Sequence, residues 1–266
     1  MPIPTFILEE QKLPRVILSV RPGTGDQALP DLLKKVYAMG VWFFDLPTKK
    51  HLDAFRQLNR VIEDDRLRGL CHVSAEEGVS FSGKPIHWLE AKITSTVKRN
   101  IVPAELRREF FSADSSGEIL TQKEIDRIAF DPLRFDRALS SFRPEESPFV
   151  MVGEKYSDWL LGLGRFDLLK TMVIRVREGG FIPIFSGHWA TFALPKAKPL
   201  DTAAYAVPIN RKWGHFDLNR ACDLIKKFDR PVISLNPLPE GDLPDAAGDA
   251  FTAGHVFGID QERDVP

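Results

Sequence analysis

Four ionisable side chains lie at the ends of short apolar runs, in the order Asp45, His72, Glu154 and His188. Carboxyl ends of parallel strands meet on one rim of a barrel, so we expect these side chains to lie together. Two imidazoles and a carboxylate are an adequate ligand set for zinc or a similar divalent ion. However, a histidine in a buried run often donates to a backbone carbonyl instead, and these residues share no local motif. We therefore assign Asp45, His72 and Glu154 as catalytic candidates and assign no metal ligand.

Two lysines enter the same set of catalytic candidates. Lys155 directly follows Glu154, and a partly desolvated lysine at a barrel mouth can act as a base or a Schiff-base nucleophile. The alternative is an ordinary exposed lysine at the start of the next helix. Asp45 follows an apolar run, where a carboxylate is costly unless it is paired. Lys49 or Lys50 would supply that pair, and Asp45 would then be structural.

The elements that must position these residues are short β-branched runs separated by helical patterns. Seven such runs are predicted as strands: Val16–Val20, Val41–Phe44, Leu67–Val73, Phe149–Gly153, Phe181–Phe185, Tyr205–Ile209 and Pro231–Leu235. Strict alternation of strand and helix favours a parallel sheet, and 266 residues suit a (β/α)8 TIM barrel. The eighth strand has one weak candidate, Val256–Ile259. We therefore expect a barrel incomplete at its eighth unit, with its edges covered by Pro4–Leu13 or by a partner subunit.

Residues 75–148 interrupt the alternation after the third strand. Ile86, Leu89, Ile93 and Val97 repeat at helical spacing, and Thr121–Glu124 matches a capping box. This pattern predicts a helical insertion within a single domain spanning residues 1–266. Because the insertion follows a strand end, we expect it to pack over the active rim and restrict access to the site. Extra helices on one side of the barrel are the alternative.

Two stretches resemble the aldo-keto reductase family. Arg21-Pro22-Gly23-Thr24-Gly25, a helix and then Gly40–Asp45 are similar to the opening of that family's barrel. Ser186-Gly187-His188, Asn210 and Asn236–Leu243 are similar in order and spacing to the family's fifth, sixth and seventh strand ends. The individual motifs are loose, and their colinearity over about half of the chain carries the resemblance.

The resemblance implies NADP-linked carbonyl reduction, but the catalytic set departs from the family's. That set is an aspartate and a tyrosine at the second strand, a lysine at the third and a histidine at the fourth. Asp45 matches, whereas Lys50 occupies the tyrosine position. The third strand has His72 and Ser74 where the lysine would be, and the fourth strand ends in Glu154 and Lys155 where the histidine would be. The resemblance also implies that NADP would be held by these residues: Ser186, His188, Asn210, Asn236, Pro237, Leu238 and Gly241.

Composition narrows the function classes. The 36 basic and 37 acidic residues give no support for nucleic-acid binding. No apolar stretch nears the roughly 20 residues that span a bilayer. Cys71 and Cys222 form no paired motif, which favours a reduced, cytoplasmic protein. We expect an enzyme with a small-molecule substrate and leave a homo-oligomer open. Beside the reductase, a cofactor-independent or metal-assisted lyase or isomerase and a catalytically silent binding or scaffold barrel remain alternatives.

Overall fold

The computed structural model describes residues 4–20, 28–101, 116–209, 218–235 and 254–259. The strands, in chain order, are β1 (Thr5–Leu8), β2 (Gln11–Pro14), β3 (Val16–Val20), β4 (Phe43–Leu46), β5 (Arg68–Ser74), β6 (Val79–Phe81), β7 (Lys84–Pro85), β8 (Ile128–Phe130), β9 (Phe149–Gly153), β10 (Ile182–Ser186), β11 (Ala204–Pro208), β12 (Val232–Leu235) and β13 (Gly254–Ile259). The helices are α1 (Ala28–Ala38), α2 (Lys49–Ile62), α3 (Ala75–Gly78), α4 (Glu90–Thr96), α5 (Gln122–Asp126), α6 (Pro132–Leu139), α7 (Lys155–Gly162), α8 (Phe166–Glu178), α9 (Ala190–Ala197) and α10 (Leu218–Lys227). A 3-10 turn (Ile86–Leu89) and a π-helical turn (Val97–Ile101) flank α4.

Eight parallel strands form a closed barrel in the order β3-β4-β5-β9-β10-β11-β12-β13, with β13 returning to β3. The predicted TIM-barrel fold is confirmed, and the seven predicted strands each lie within two residues of an observed one. The gap expected at the eighth strand is filled by β13, which pairs with β12 on one side and β3 on the other. Its two glycines, Gly254 and Gly258, hide it in the sequence, because glycine is depleted in strands. Main-chain pairing on both sides makes it a strand nonetheless.

Strand residues alternate between the barrel interior and the outer helices. Phe43 of β4 and Leu70 of β5 lie in the interior cluster, whereas Phe44 and Cys71, one residue later in each strand, pack with the residues of α1 and α2. Asp45 and His72 come two residues after Phe43 and Leu70, so both project inward. They lie toward the carboxyl ends of the barrel strands, which we call the C-terminal rim.

The N-terminal hairpin β1–β2 closes the opposite end of the barrel. Leu8 and Leu13 are buried in the same cluster as the interior residues of the barrel strands. Glu9, in the hairpin turn, forms an ion pair with Arg177 near the end of α8, just before β10 begins. The hairpin therefore packs beneath the barrel, and the expected covering of an open strand edge is not needed in a closed sheet.

The segment between β5 and β9 is less helical than the sequence predicts. It contains a three-stranded antiparallel sheet in the order β7-β6-β8 as well as helices α3 to α6. The capping box at Thr121 and Glu124 is confirmed. This segment packs beside helix α7, since Glu90 lies 3.5 Å from the Tyr156 hydroxyl and Val97 lies against Gly162. Restriction of access to Asp45 and His188 stays a prediction.

None of the helices within the described ranges has the length and apolar character that crossing a bilayer requires.

Candidate functional site

The candidate site centres on His72, which bridges two carboxylates. Its Nε2 lies 2.5 Å from Oδ1 of Asp45, and its Nδ1 lies 2.7 Å from Oε1 of Glu154. A carboxylate accepts hydrogen bonds, so both ring nitrogens donate, and only the imidazolium carries two N–H groups. Burial of the ring opposes the charge, but the two carboxylates outweigh it and raise the pKa of His72 to about 10. His72 is therefore a buried cation held between Asp45 and Glu154.

The register of the barrel brings these residues together. Asp45 pairs with Leu70 across β4 and β5, and His72 pairs with Met151 across β5 and β9. The sequence predicted that Asp45 follows its strand, but it lies within β4 and is only 5% exposed. A carboxylate is tolerated there because the His72 imidazolium supplies both a hydrogen bond and the opposite charge.

Glu154 reaches this cluster from a strained turn between β9 and α7. Its backbone has φ 59° and ψ −141°, close to a region that is otherwise nearly restricted to glycine. Its side chain is 36% exposed, against 10% for His72, so it is the member of the cluster that solvent and small molecules reach. Although burial acts in the opposite direction, the hydrogen bond and charge of His72, together with the charge of His188, lower the pKa of Glu154.

Gly153 permits this turn to approach the next strand. It has φ 119°, and an added Cβ would lie 2.6 Å from the main-chain oxygen of Ser186 and 2.8 Å from Cβ of Ser157. The Ser157 hydroxyl lies 2.6 Å from the main-chain oxygens of both Glu154 and Ser186. The end of β9 and the end of β10 are thus joined through one side chain, and only glycine fits between them.

Asp158 forms the second link to β10. Its side chain is 0% exposed, and Oδ2 accepts a hydrogen bond of 2.7 Å from the main-chain N–H of His188. Oδ1 accepts a longer one, 3.4 Å, from the N–H of Trp189. Sequence reasoning missed Ser157 and Asp158. Polar and acidic residues in the first turn of a helix are ordinary, so the sequence carries no signal that distinguishes these two.

His188 stands at the corner that Asp158 holds, and its ring is 33% exposed. Nδ1 lies 3.8 Å from Oδ2 of Asp158. Burial acts against protonation, but the Asp158 and Glu154 carboxylates prevail and raise the pKa of His188. These carboxylates therefore favour the charged form of a second histidine at the same rim as the partly exposed Glu154. The predicted grouping of Asp45, His72, Glu154 and His188 at one rim agrees with this geometry.

The metal-binding alternative finds no support in this arrangement. Within the described ranges, no group of three or more His, Cys, Asp or Glu side chains is arranged to hold a metal ion. A histidine ligand needs a free lone pair, whereas both nitrogens of His72 are occupied by carboxylates.

The remaining predicted site residues are distributed as follows. Lys50 is exposed in the first turn of α2, and Ser186 is the buried last residue of β10. Lys155 is the first residue of α7, and its side chain is outside the described part of the structure. Five predicted cofactor-binding residues also lie outside the described ranges: Asn210, Asn236, Pro237, Leu238 and Gly241.

Comparisons with known proteins relate this chain to others by fold alone. No family model matches the sequence, and no curated protein matches it. Among solved structures, an aldo-keto reductase from Bacillus halodurans in its holo form is 10% identical with a TM-score of 0.54, over 99% of this chain and 88% of that chain. The old yellow enzyme from Trypanosoma cruzi is 10% identical with a TM-score of 0.52, over 96% and 87%. A type I 3-dehydroquinate dehydratase from Clostridium difficile is 11% identical with a TM-score of 0.50, over 97% and 90%. The barrel is common to enzymes of different chemistry, so the reaction must be argued from the site.

Proposed function

We propose that this protein is a small-molecule enzyme that transfers protons at the C-terminal rim, in the manner of a cofactor-independent lyase or isomerase. Glu154 acts as the general base, and His188 acts as the general acid. The single observation that carries the proposal is the strained, partly exposed Glu154, bonded to a buried cation. Non-glycine residues in such backbone conformations cluster at functional sites, because surrounding structure must stabilise the strain.

The two exposed groups have complementary protonation states. Glu154 remains a carboxylate at neutral pH because its pKa is lowered, and His188 keeps its proton to higher pH because its pKa is raised. A carboxylate removes a proton from a carbon next to a carbonyl, while an adjacent imidazolium stabilises the negative charge that develops on the carbonyl oxygen. The expected substrates are therefore small carbonyl compounds with an acidic α-hydrogen. In this scheme His72, held by Asp45, keeps the Glu154 carboxylate charged and oriented.

Hydrogen exchange at the substrate carbon tests this proposal, because it reports proton removal whatever product is formed. The protein would be incubated in D2O with 2-oxo acids, aldoses, ketoses and their phosphates, and loss of the α-hydrogen signal followed by proton NMR. General acid–base groups contribute about 100-fold to 10,000-fold, so Glu154→Gln should lose at least about 100-fold in exchange rate. Glu178→Gln is the matched control, because Glu178 lies at the far end of α8 in an exposed ion pair with Arg175.

An exchange rate in Glu154→Gln equal to that of the wild type would refute the role of Glu154. Absence of exchange across the whole panel would instead favour a catalytically silent barrel. Borohydride trapping with the same panel tests the separate route through Lys155, because a Schiff base leaves a stable mass adduct after reduction.

NADP-linked carbonyl reduction is the second candidate. It is favoured by the cationic His72 beside Asp45, at the position where the resemblance to aldo-keto reductases puts a lysine. A reductase needs an acid that protonates the substrate oxygen as the hydride arrives, and His188 would serve in place of the family's tyrosine. Titration with NADPH, followed by tryptophan fluorescence, separates the two candidates. Saturable binding in the micromolar range would favour reduction, and its absence would leave proton transfer.

A further inference from the structure

We infer that Asp158 is the positioning residue for His188, holding both the strand end that carries it and the imidazole ring in the geometry that proton transfer requires. The consequence for catalysis rests on the proposed function. The positioning role itself depends only on the contacts of the buried Asp158 carboxylate. Asp158 belongs to α7, whereas everything that it holds belongs to the turn between β10 and α9.

The contacts of Asp158 are directed at a neighbouring strand end. Its carboxylate accepts from the main-chain N–H groups of His188 and Trp189, which lie 30 and 31 residues away in the sequence. The preceding residue, Ser157, contacts the main-chain oxygen of Ser186. Two consecutive residues of α7 therefore fix three positions around Gly187. A carboxylate that capped only its own helix would not accept hydrogen bonds from the turn between β10 and α9.

The packing leaves the turn little freedom to move. An added Cβ at Gly187 would lie 3.0 Å from Cβ of Ala193 and 3.1 Å from Oδ1 of Asp158. Asp158 is 0% exposed and Gly187 is closely surrounded, so the main chain of His188 is held against a buried carboxyl group. The ring itself remains 33% exposed.

Two carboxylates face the His188 ring with different exposure. Glu154 is partly exposed and serves as the proposed base, so its charge changes during a reaction cycle. Asp158 is fully buried, and its Oδ2 lies 3.8 Å from Nδ1 of His188. Burial of the His188 ring opposes its charged form, but these two carboxylates outweigh burial and raise the pKa of His188. Asp158 therefore still favours the protonated form of His188 when Glu154 takes up a proton from the substrate.

The test is a histidine NMR titration of the full-length protein, which needs no substrate. The chain has six histidines, and His188→Gln assigns the resonance of interest. Asp158→Asn keeps the shape and one acceptor oxygen but removes the charge, so the His188 midpoint should move to lower pH while the His72 midpoint stays. The exposed Asp167→Asn is the matched control. In α-hydrogen exchange, the alkaline limb of the Asp158→Asn rate profile should move to lower pH together with the His188 midpoint.

An unchanged His188 midpoint in a folded Asp158→Asn protein would overturn the inference. If that variant does not fold, amide exchange of the wild type decides instead: the His188 N–H should be protected and unprotected exchange would refute the hydrogen bond. Failure of the two proposals is distinguishable. A shifted His188 midpoint without any effect of Glu154→Gln on α-hydrogen exchange would support the role of Asp158 and remove the proposed function. Loss of α-hydrogen exchange in Glu154→Gln, together with an unshifted His188 midpoint in Asp158→Asn, would support the proposed function and remove the role of Asp158.

Discussion

The close approach of β9 to β10 at Gly153 makes a quantitative prediction for Gly153→Ala. Alanine at φ 119° occupies backbone space that is nearly restricted to glycine, which costs about 1–3 kcal/mol. Its Cβ would also lie 2.6 Å from the main-chain oxygen of Ser186, and main chain within a barrel strand cannot move aside easily. Overpacking of this kind costs about 1–3 kcal/mol. We expect the free energy of unfolding to fall by about 2–6 kcal/mol.

Gly164→Ala is the matched control for this variant. Gly164 also has a positive φ, 75°, but an added Cβ there meets no atom within 4 Å. Only the left-handed backbone penalty applies, about 1–2 kcal/mol. The difference between the two variants therefore contains the contact between the strand ends together with the smaller difference between the two backbone penalties. Both substitutions reduce the entropy of the unfolded chain equally.

Urea unfolding followed by tryptophan fluorescence measures both losses, and the buried Trp159 lies in α7, the helix that follows the altered turn. Gly153→Ala should also slow α-hydrogen exchange, because the strained backbone of Glu154 begins at the next residue. Equal destabilisation of the two variants would refute the reasoning, since it would mean that the Ser186 oxygen leaves room for a methyl group.

Protonation and exposure give three further predictions. Because the pKa of His72 is raised, its contribution to stability is complete below about pH 6.5 and is lost as the pH rises to about 10. The free energy of unfolding should therefore fall more for the wild type than for His72→Gln between these pH values. Equal pH dependence of the two unfolding free energies would contradict the ion pair. In the pH profile of the α-hydrogen exchange rate, the acidic limb should lie below pH 4.5 because the pKa of Glu154 is lowered. The alkaline limb should lie above pH 6.5 because the pKa of His188 is raised. An alkaline limb below pH 6.5 would exclude His188 as the acid. Burial raises the pKa of the Cys71 thiol to about 12, so iodoacetamide at pH 8 should modify the partly exposed Cys222 and leave Cys71 intact in the native protein, as peptide mass spectrometry would report; labelling of Cys71 at the rate of Cys222 would contradict its burial.

Much of the fold could be predicted because the signals are local. Seven barrel strands are runs of apolar, β-branched residues bounded by turn residues, and such runs need little tertiary help to be recognised. The capping box at Thr121 and Glu124 depends on residues three positions apart, so it too was visible in the sequence. The strand β13 gave only the weak candidate Val256–Ile259, and the small β7-β6-β8 sheet was not predicted, because short or glycine-containing segments become strands only through their partners.

The candidate site divides in the same way. Asp45, His72, Glu154 and His188 could be proposed from the sequence because each ends or follows an apolar run, and parallel strands collect such residues at one rim. Their pairing could not, because it depends on the register between β4, β5 and β9 and on closure of the barrel. A slip of one residue would turn His72 away from both carboxylates. Composition and periodicity thus determined which residues reach the rim, whereas the tertiary structure decided which of them touch, which are charged, and that Asp158 holds His188. These are contacts between residues distant in sequence, and their geometry exists only once the sheet has closed.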